Sequence, residues 1–365
     1  MFTSGLVKNI YRCIFTRVML LPALLLSVVT AQALAGPSWT HPDDGIVVAR
    51  WSKEELKPLP QTYAQRMDEI KRHFTLADKP GQSWRYDRIH MLMDGLNAGK
   101  EKATGFTAEE LTYYRARLLQ HRHEFARAAE MLQDINEGSS LFISARLMMA
   151  QVYSELDDQP AARNACLSLM LEQADLAAVC SIGLQPIAGA YGHSVLASLL
   201  ERLSKDTTPQ GRSLTAWALY QKSKSYLHEK QYARVEALYK RWSGGAELTV
   251  ADLVNRSEAL LLDEKPQKVI SLLKEYGHAD YPDDALIVQL ARAEQKNDSV
   301  DTYWRDYAEE RINQRIKRRD ASYSELISLY LSTVGKSASD HNLNWLSQLK
   351  DIQQNNYGPV QGDVL

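Results

Sequence analysis

An all-α fold of repeated, stacked helical units is what this chain predicts, and three observations carry that reading. Small residues recur at a spacing of 34: Ala116 and Ala150 form a pair, and Ser223, Ser257 and Ala291 form a triplet. Leu119, Tyr153, Tyr226 and Leu260 fall three residues later, and Ala128, Ala162, Val235 and Val269 twelve later, so the echo has depth. Strand-like alternation is scarce along the whole chain. A period of this length marks supersecondary units, each of which buries its apolar face only by stacking on the next.

The pattern has a packing logic. The first helix of each unit must let its partner approach, so one site carries almost no side chain, and Ala116 and its equivalents occupy it. Leu132, Cys166, Tyr239, Leu273 and Tyr307 follow sixteen residues after that site, and Ile135, Leu169, Trp242 and Tyr276 three later, which is helical spacing on a second helix. Phe125 and Tyr232 supply aromatics that open the second helix, whereas Gln159, Pro266 and Val300 depart from them. Over roughly residues 109–310 this pattern resembles the tetratricopeptide repeat, without that repeat's first-helix Trp and Gly and with Thr112 and Arg146 at its usual aromatic position. The resemblance implies an all-α, right-handed α-solenoid of helix-turn-helix repeats.

The elements before the repeats follow from composition. Lys8, Arg12 and Arg17 form a basic start, Val18 to Val29 an apolar run, and Ala33-Leu34-Ala35 a small-x-small site before Gly36. These are the three marks of a secretory signal peptide, so residues 1–35 are expected to be cleaved after Ala35 and the protein to be periplasmic or secreted. The apolar run is shorter than the about 18 residues of a membrane span. Cys13 precedes that run and is no lipoprotein cysteine. Residues 36–60 read as an extended arm broken by Pro37, Pro42, Pro58 and Pro60. Within residues 61–108, helices are expected at 61–74 and 83–96 as an atypical capping pair, the second with Trp84, Ile89, Leu92 and Leu96 on one face.

The repeats fall into two blocks out of phase. Starts at Ile143 and Ala216 lie 73 residues apart, two periods plus five, so one repeat, irregular at about 175–212, is enlarged. Gly183, Pro186, Gly189 and Gly192 interrupt it, either as a bend opening the concave face or as a bare insertion. Beside it, Cys166 and Cys180 each lie seven residues from Gln173, in a turn expected at 172–174. Equal distances from the turn of a helical hairpin place residues opposite one another, within the about 5.5–6 Å between α-carbons that a disulfide needs. A bridge is expected in an oxidising compartment, and two ordinary buried thiols are the alternative.

Residues 311–365 read as capping helices and tail. Arg311, Arg315, Lys317, Arg318 and Arg319 form a basic cluster expected to be a solvated helix face, with Ile312 and Ile316 toward the core. Closing helices are expected at 324–331 and 343–352.

Charge and motifs narrow the function. Removing residues 1–35 takes away three basic and no acidic residues, moving the formal charge from -2 to -5, so nucleic acid is not an expected partner. There is no G-x-S-x-G, no phosphate-cradling glycine loop, no H-E-x-x-H and no C-x-x-C. His121 and His123 are two apart, so their side chains diverge on a helix and no metal or cofactor is expected. Asp157-Asp158 and Asp283-Asp284 read as a turn and a helix start. In the family that the repeats resemble, first-helix residues line a concave groove. Carried onto this register, they are Tyr113, Arg117 and Gln120, then Leu147 and Gln151, then Trp217, Tyr220 and Lys224, then Val254 and Glu258, then Val288 and Arg292. This mixture suits a peptide or extended protein segment in the cell envelope. The expectation is thus a binding scaffold, an adaptor or assembly factor. A component of a polysaccharide export or modification complex is the alternative, and an all-helical enzyme using Glu109, Glu110 or Asp301 is the remaining one.

Overall fold

The computed structural model describes residues 58, 60, 62–98, 106–184, 190–206, 208–242, 248–279, 281–298, 301–318 and 321–335. The expected signal peptide, nearly all of the arm, Pro186 and Gly189, and the closing helix expected at 343–352 lie outside them. Among the described residues every regular element is helical, and each α-helix packs on its neighbours in the chain. No helix there is long and apolar enough to cross a membrane.

The leading pair is α1 (Tyr63–Ala77) and α2 (Arg85–Ala98). Thr62 opens α1 by accepting the Gln65 N–H at 3.3 Å. Five regular pairs share one plan: α3 (Phe106–His121) with α4 (Phe125–Gln133), α5 (Phe142–Glu155) with α6 (Gln159–Leu167), α9 (Pro209–His228) with α10 (Tyr232–Trp242), α11 (Val250–Leu262) with α12 (Pro266–Gly277), and α13 (Asp284–Lys296) with α14 (Tyr303–Arg318). In the 73-residue interval, α7 (Ala174–Leu184) and α8 (Ala190–Leu203) supply one further pair. A 3-10 turn at Ala321–Tyr323 and α15 (Ser324–Thr333) follow.

The five small residues sit in α3, α5, α9, α11 and α13 and are at most 2% exposed, as the close approach of a partner helix requires. Ser223 does more than leave room. Its hydroxyl donates to the Tyr220 carbonyl at 2.8 Å and accepts from Asn255 Nδ2 at 2.9 Å. Beside it the buried Tyr239 hydroxyl donates to Asp252 Oδ1 at 2.9 Å, so α9, α10 and α11 meet through a polar knot inside the apolar interior.

A second period lies in the backbone. His123, Asp157, Lys230, Glu264 and Asp298 have φ between +47° and +59°, and each stands seven residues after its small residue, in the turn between the two helices of its pair. The first helices end in a Schellman arrangement: the Lys230 N–H donates to the Leu227 carbonyl and the Gln231 N–H to that of Tyr226, at 3.0 and 2.8 Å. The same second bond reaches Leu119, Tyr153 and Leu260, at 2.9, 2.9 and 2.8 Å. These carbonyls belong to the residues that echo three after the small sites.

First helices also touch one another in succession, α3 on α5, then α7, α9, α11, α13 and α15. The buried apolar residues form three clusters. One joins Ile70 and Phe74 of α1, Ile89 and Leu92 of α2, and Leu111 and Leu118 of α3. The largest runs from Ala116 of α3 through α10 to Ala259 of α11, and the third spans α11 to α15.

The basic cluster differs from its expectation. Arg311 and Arg315 are not solvated: both bind the buried Asp284, Arg315 Nε at 2.8 Å from Oδ2 and Arg311 Nε on Oδ1, while Arg311 Nη2 donates to the Pro282 carbonyl at 3.0 Å. Burial alone would raise the Asp284 carboxyl, but Arg315 and Arg311 outweigh it and hold it below its ordinary value. Asp284 begins α13, so the cations of α14 serve that helix start.

Candidate binding cleft

Four residues expected in the groove converge. Leu147 and Gln151 of α5, and Trp217 and Lys224 of α9, line one open cleft of ≈ 350 Å³, solvent space included, with Cys180 and Leu184 of α7 between them. Leu147 and Gln151 are one helical turn apart, and so are Ser154 and Glu155 beyond them, which places all four on one face of α5. On α9, Trp217, Gln221 and Lys224 repeat that spacing. The lining therefore mixes apolar groups, from Leu147, Leu184 and the Trp217 ring, with two amides, a hydroxyl, a carboxylate and an ammonium.

The remaining wall is covalently fixed. Cys166 of α6 and Cys180 of α7 form the disulfide that their equal spacing predicts, with α-carbons 5.4 Å apart. The turn between their helices covers 168–173, and Ala174 already belongs to α7. Holding α7 to α6 fixes where Cys180 and Leu184 stand in the cleft.

Tyr220 is half-buried beside the cleft. Burial pushes its hydroxyl up to about 12, and the Glu155 and Asp252 carboxylates push the same way, so it is a neutral hydrogen-bonding group across the physiological range. Lys224 Nζ lies 5.7 Å from the centre of its ring.

Toward the ends of the array the expected positions are taken up by other contacts. Arg117 of α3 is held by the end of α1: its Nη2 donates to Asp78 Oδ2 at 3.1 Å and its guanidinium lies 4.7 Å over the Phe74 ring. Tyr113 packs on the large core and against Tyr114, edge to face at 5.3 Å, and Gln120 is half-buried on α3. Glu258 and Arg292 bind each other across α11 and α13. Val254 packs against the third core. Val288 reaches no groove: it is 1% exposed inside that core, because α13 is enclosed by α11, α12, α14 and α15.

Ser154, Glu155 and Gln221 escaped the sequence reading, although each is three or four residues from a residue it named. Following the 3–4 stripe outward from Gln151 and Trp217 would have reached them. Cys180 and Leu184 had no such signal, since α7 lies where the repeat phase is lost.

Other polar clusters serve local structure. Glu110 pairs with Lys71 at 2.7 Å, and Asp301 accepts the Tyr303 N–H at 3.1 Å. His121 stacks on Tyr86 with ring centres 3.4 Å apart, and His90 pairs with Asp94 at 3.0 Å. Among the described residues no group of three or more His, Cys, Asp or Glu side chains is placed to hold a metal ion. Comparison of the chain with protein-family models, with curated proteins and with solved structures finds no match in any of the three.

Proposed function

We propose that this protein is an exported, periplasmic binding scaffold of the tetratricopeptide type, a right-handed α-solenoid that takes an extended segment of an envelope protein across α5, α7 and α9. It acts there as an adaptor or assembly factor. The observation that carries the reading is the convergence of Leu147, Gln151, Trp217 and Lys224 on one cleft. They come from two helices about 70 residues apart in sequence, and the only thing that relates them is their position on the repeat. The succession of first-helix contacts and the five left-handed turns at one repeat position support the solenoid. Trp217 gives the cleft a rigid aromatic anchor, while Gln151 and Gln221 can pair with the backbone of an extended chain.

The test is affinity purification from the native envelope with the wild type and with Trp217→Ala, Lys224→Ala. The variant is expected to lose partners that the wild type retains, and equal recovery of the same partners by both would remove the cleft from consideration. N-terminal sequencing of the envelope protein is expected to begin at Gly36. A chain that still begins with Met1 would overturn the cleavage.

A further inference from the structure

The turn between α1 and α2 does not stay with its own end of the chain. The Asp78 carbonyl, at the C-terminal end of α1, accepts the N–H of Val250, the first residue of α11, at 2.9 Å. Three residues on, the Gly81 N–H donates to Asp283 Oδ2 at 2.7 Å, across 202 positions of sequence. Asp283 stands at the N-cap of α13 with extended backbone, yet its side chain makes no capping bond to that helix. It serves the distant turn instead, where the Ser83 hydroxyl also bonds it. Gly81 has φ +72°, the conformation that aims its N–H at Asp283 and that other residues adopt only under strain.

Asp78 joins both sides. Its carboxylate holds Arg117 of α3 while its carbonyl holds α11, so the succession α3, α5, α7, α9, α11 is closed on itself through one residue. Among the described residues, the core of α1, α2 and α3 contains no residue of α11 to α15, and the core of α11 to α15 contains none of α1 or α2. A contact through which no apolar cluster runs gives way more readily than the helix pairs on either side, each of which shares one.

We propose that the α1–α2 turn is a releasable clasp, held by Asp78 and Asp283, whose opening frees α1 and α2 from α11 and α13 and sets access to the inner face. The clasp stands on its own contacts, and only its consequence for access rests on the proposed cleft.

Protons act on it in a definite direction. Burial pushes the Asp283 carboxyl up, against the bonds from Gly81 and Ser83 that favour its charge. Neighbouring Asp284 pushes it up further, and Arg311 of α14 draws it down while gripping Asp284. Tyr281, between them, is pushed up to about 12 by burial first and then by Asp87 of α2, with Arg315 and Arg311 opposing. The closed state thus holds the Asp283 proton more tightly than an exposed carboxyl does, so falling pH tightens the clasp and rising pH loosens it.

Hydrogen exchange on the full chain tests it, because the Gly81 and Val250 amides are themselves the bonds that open. Both are expected to exchange faster than Leu260 and Leu290 inside α11 and α13. Asp283→Ala should speed them further by about 2- to 12-fold, the factor carried by one net hydrogen bond, with the helix interiors unchanged. Asp283→Asn keeps an acceptor without charge and should close as well as the wild type while losing the pH dependence. Exchange of Gly81 and Val250 at the rate of the interiors, or equal acceleration of all four amides by Asp283→Ala, would overturn the clasp. For access, a β-carbon at Gly81 would lie 3.8 Å from that of Ala279, the separation of a disulfide, so Gly81→Cys with Ala279→Cys locks it. Labelling of a Lys224→Cys thiol by a polymer-bearing maleimide should then be slower than without the lock. An equal rate would refute the access role while leaving the clasp itself intact.

Discussion

Arg292 of α13 holds both carboxylate oxygens of Glu258 of α11, Nη2 at 3.1 Å from Oε1 and Nη1 on Oε2, and the two residues are 34 apart, one full repeat. The same position on α9 is Lys224, which faces the cleft instead. Three equivalent sites thus carry plus, minus and plus, and the second is satisfied by the third. A double-mutant cycle with Glu258→Ala and Arg292→Ala is expected to give a coupling of about 1 kcal/mol, the upper range for a partly exposed but bidentate pair. Denaturant unfolding measures it, and the coupling should shrink in about 1 M salt.

The bridge between Cys166 and Cys180 closes a short loop, with a sequence separation of 14. Denatured, unreduced protein is expected to show no reactive thiol from either residue. Reduction, or Cys166→Ser with Cys180→Ser, should cost about 3 kcal/mol of stability on the chain-entropy scale. Two reactive thiols in the unreduced protein would refute the bridge.

Lys230 and Glu264 occupy left-handed backbone at φ +59° and +53°. Such a conformation costs a residue with a β-carbon about 1–2 kcal/mol, and glycine gives back about 0.5–1 kcal/mol of that in unfolded-state entropy. Glu264→Gly and Lys230→Gly are therefore expected to raise the denaturant midpoint, by about 0.5 kcal/mol each. Asp157→Gly should gain less, because Asp tolerates this region better. Lower midpoints for both of the first two variants would contradict the argument.

What could be read beforehand was what side chains repeat. Ala116 and its equivalents are legible because close helix packing demands one small residue per unit, and Cys166 and Cys180 because a hairpin maps spacing onto distance. Of the left-handed turns only the one at Asp157 was read as a turn: His123, Asp157, Lys230, Glu264 and Asp298 share a backbone conformation and little beyond an ionisable side chain, which marks many exposed positions equally. The meeting of the α1–α2 turn with α11 was hidden for the same reason, since its bond joins two main-chain groups. Four of the ten residues that line the cleft stood in the expected groove, where the repeat phase held. At Val288 the projection failed because a repeat register says which residues share a face and nothing of which neighbours cover that face.

Acid is expected to destabilise the protein in two windows. His73 is buried between Glu69 and Arg85, and Arg85 Nη1 approaches its Nδ1 at 3.0 Å, so that nitrogen is an acceptor and Nε2 carries the proton toward Glu69. Burial lowers the His73 pKa, Glu69 opposing and Arg85 assisting. A lowered histidine contributes stability that is fully present above its unfolded value of 6.5 and is lost as pH falls through the folded one. Asp284 acts by the same sign lower down: its depressed pKa contributes stability above 3.8 that disappears as pH falls through the folded value. Stability measured against pH should therefore decline from below 6.5 and decline again below 3.8; burial also lowers His121, to about 4, so His73→Gln should shrink the first decline and leave the share of His121.

The three separate apolar clusters bear on how this molecule comes apart. Ile70 and Phe74 belong to one interior and Leu273 and Leu290 to another, and no shared cluster obliges them to give way together. Cooperativity is local where packing is local. Heating is expected to trace more than one transition, with α12 to α15 and the pair α1–α2 each able to loosen while the disulfide-pinned middle, to which Ala259, Asp252 and Asn255 tie α11, stays folded. The segment that carries the cleft is then the last to lose its shape.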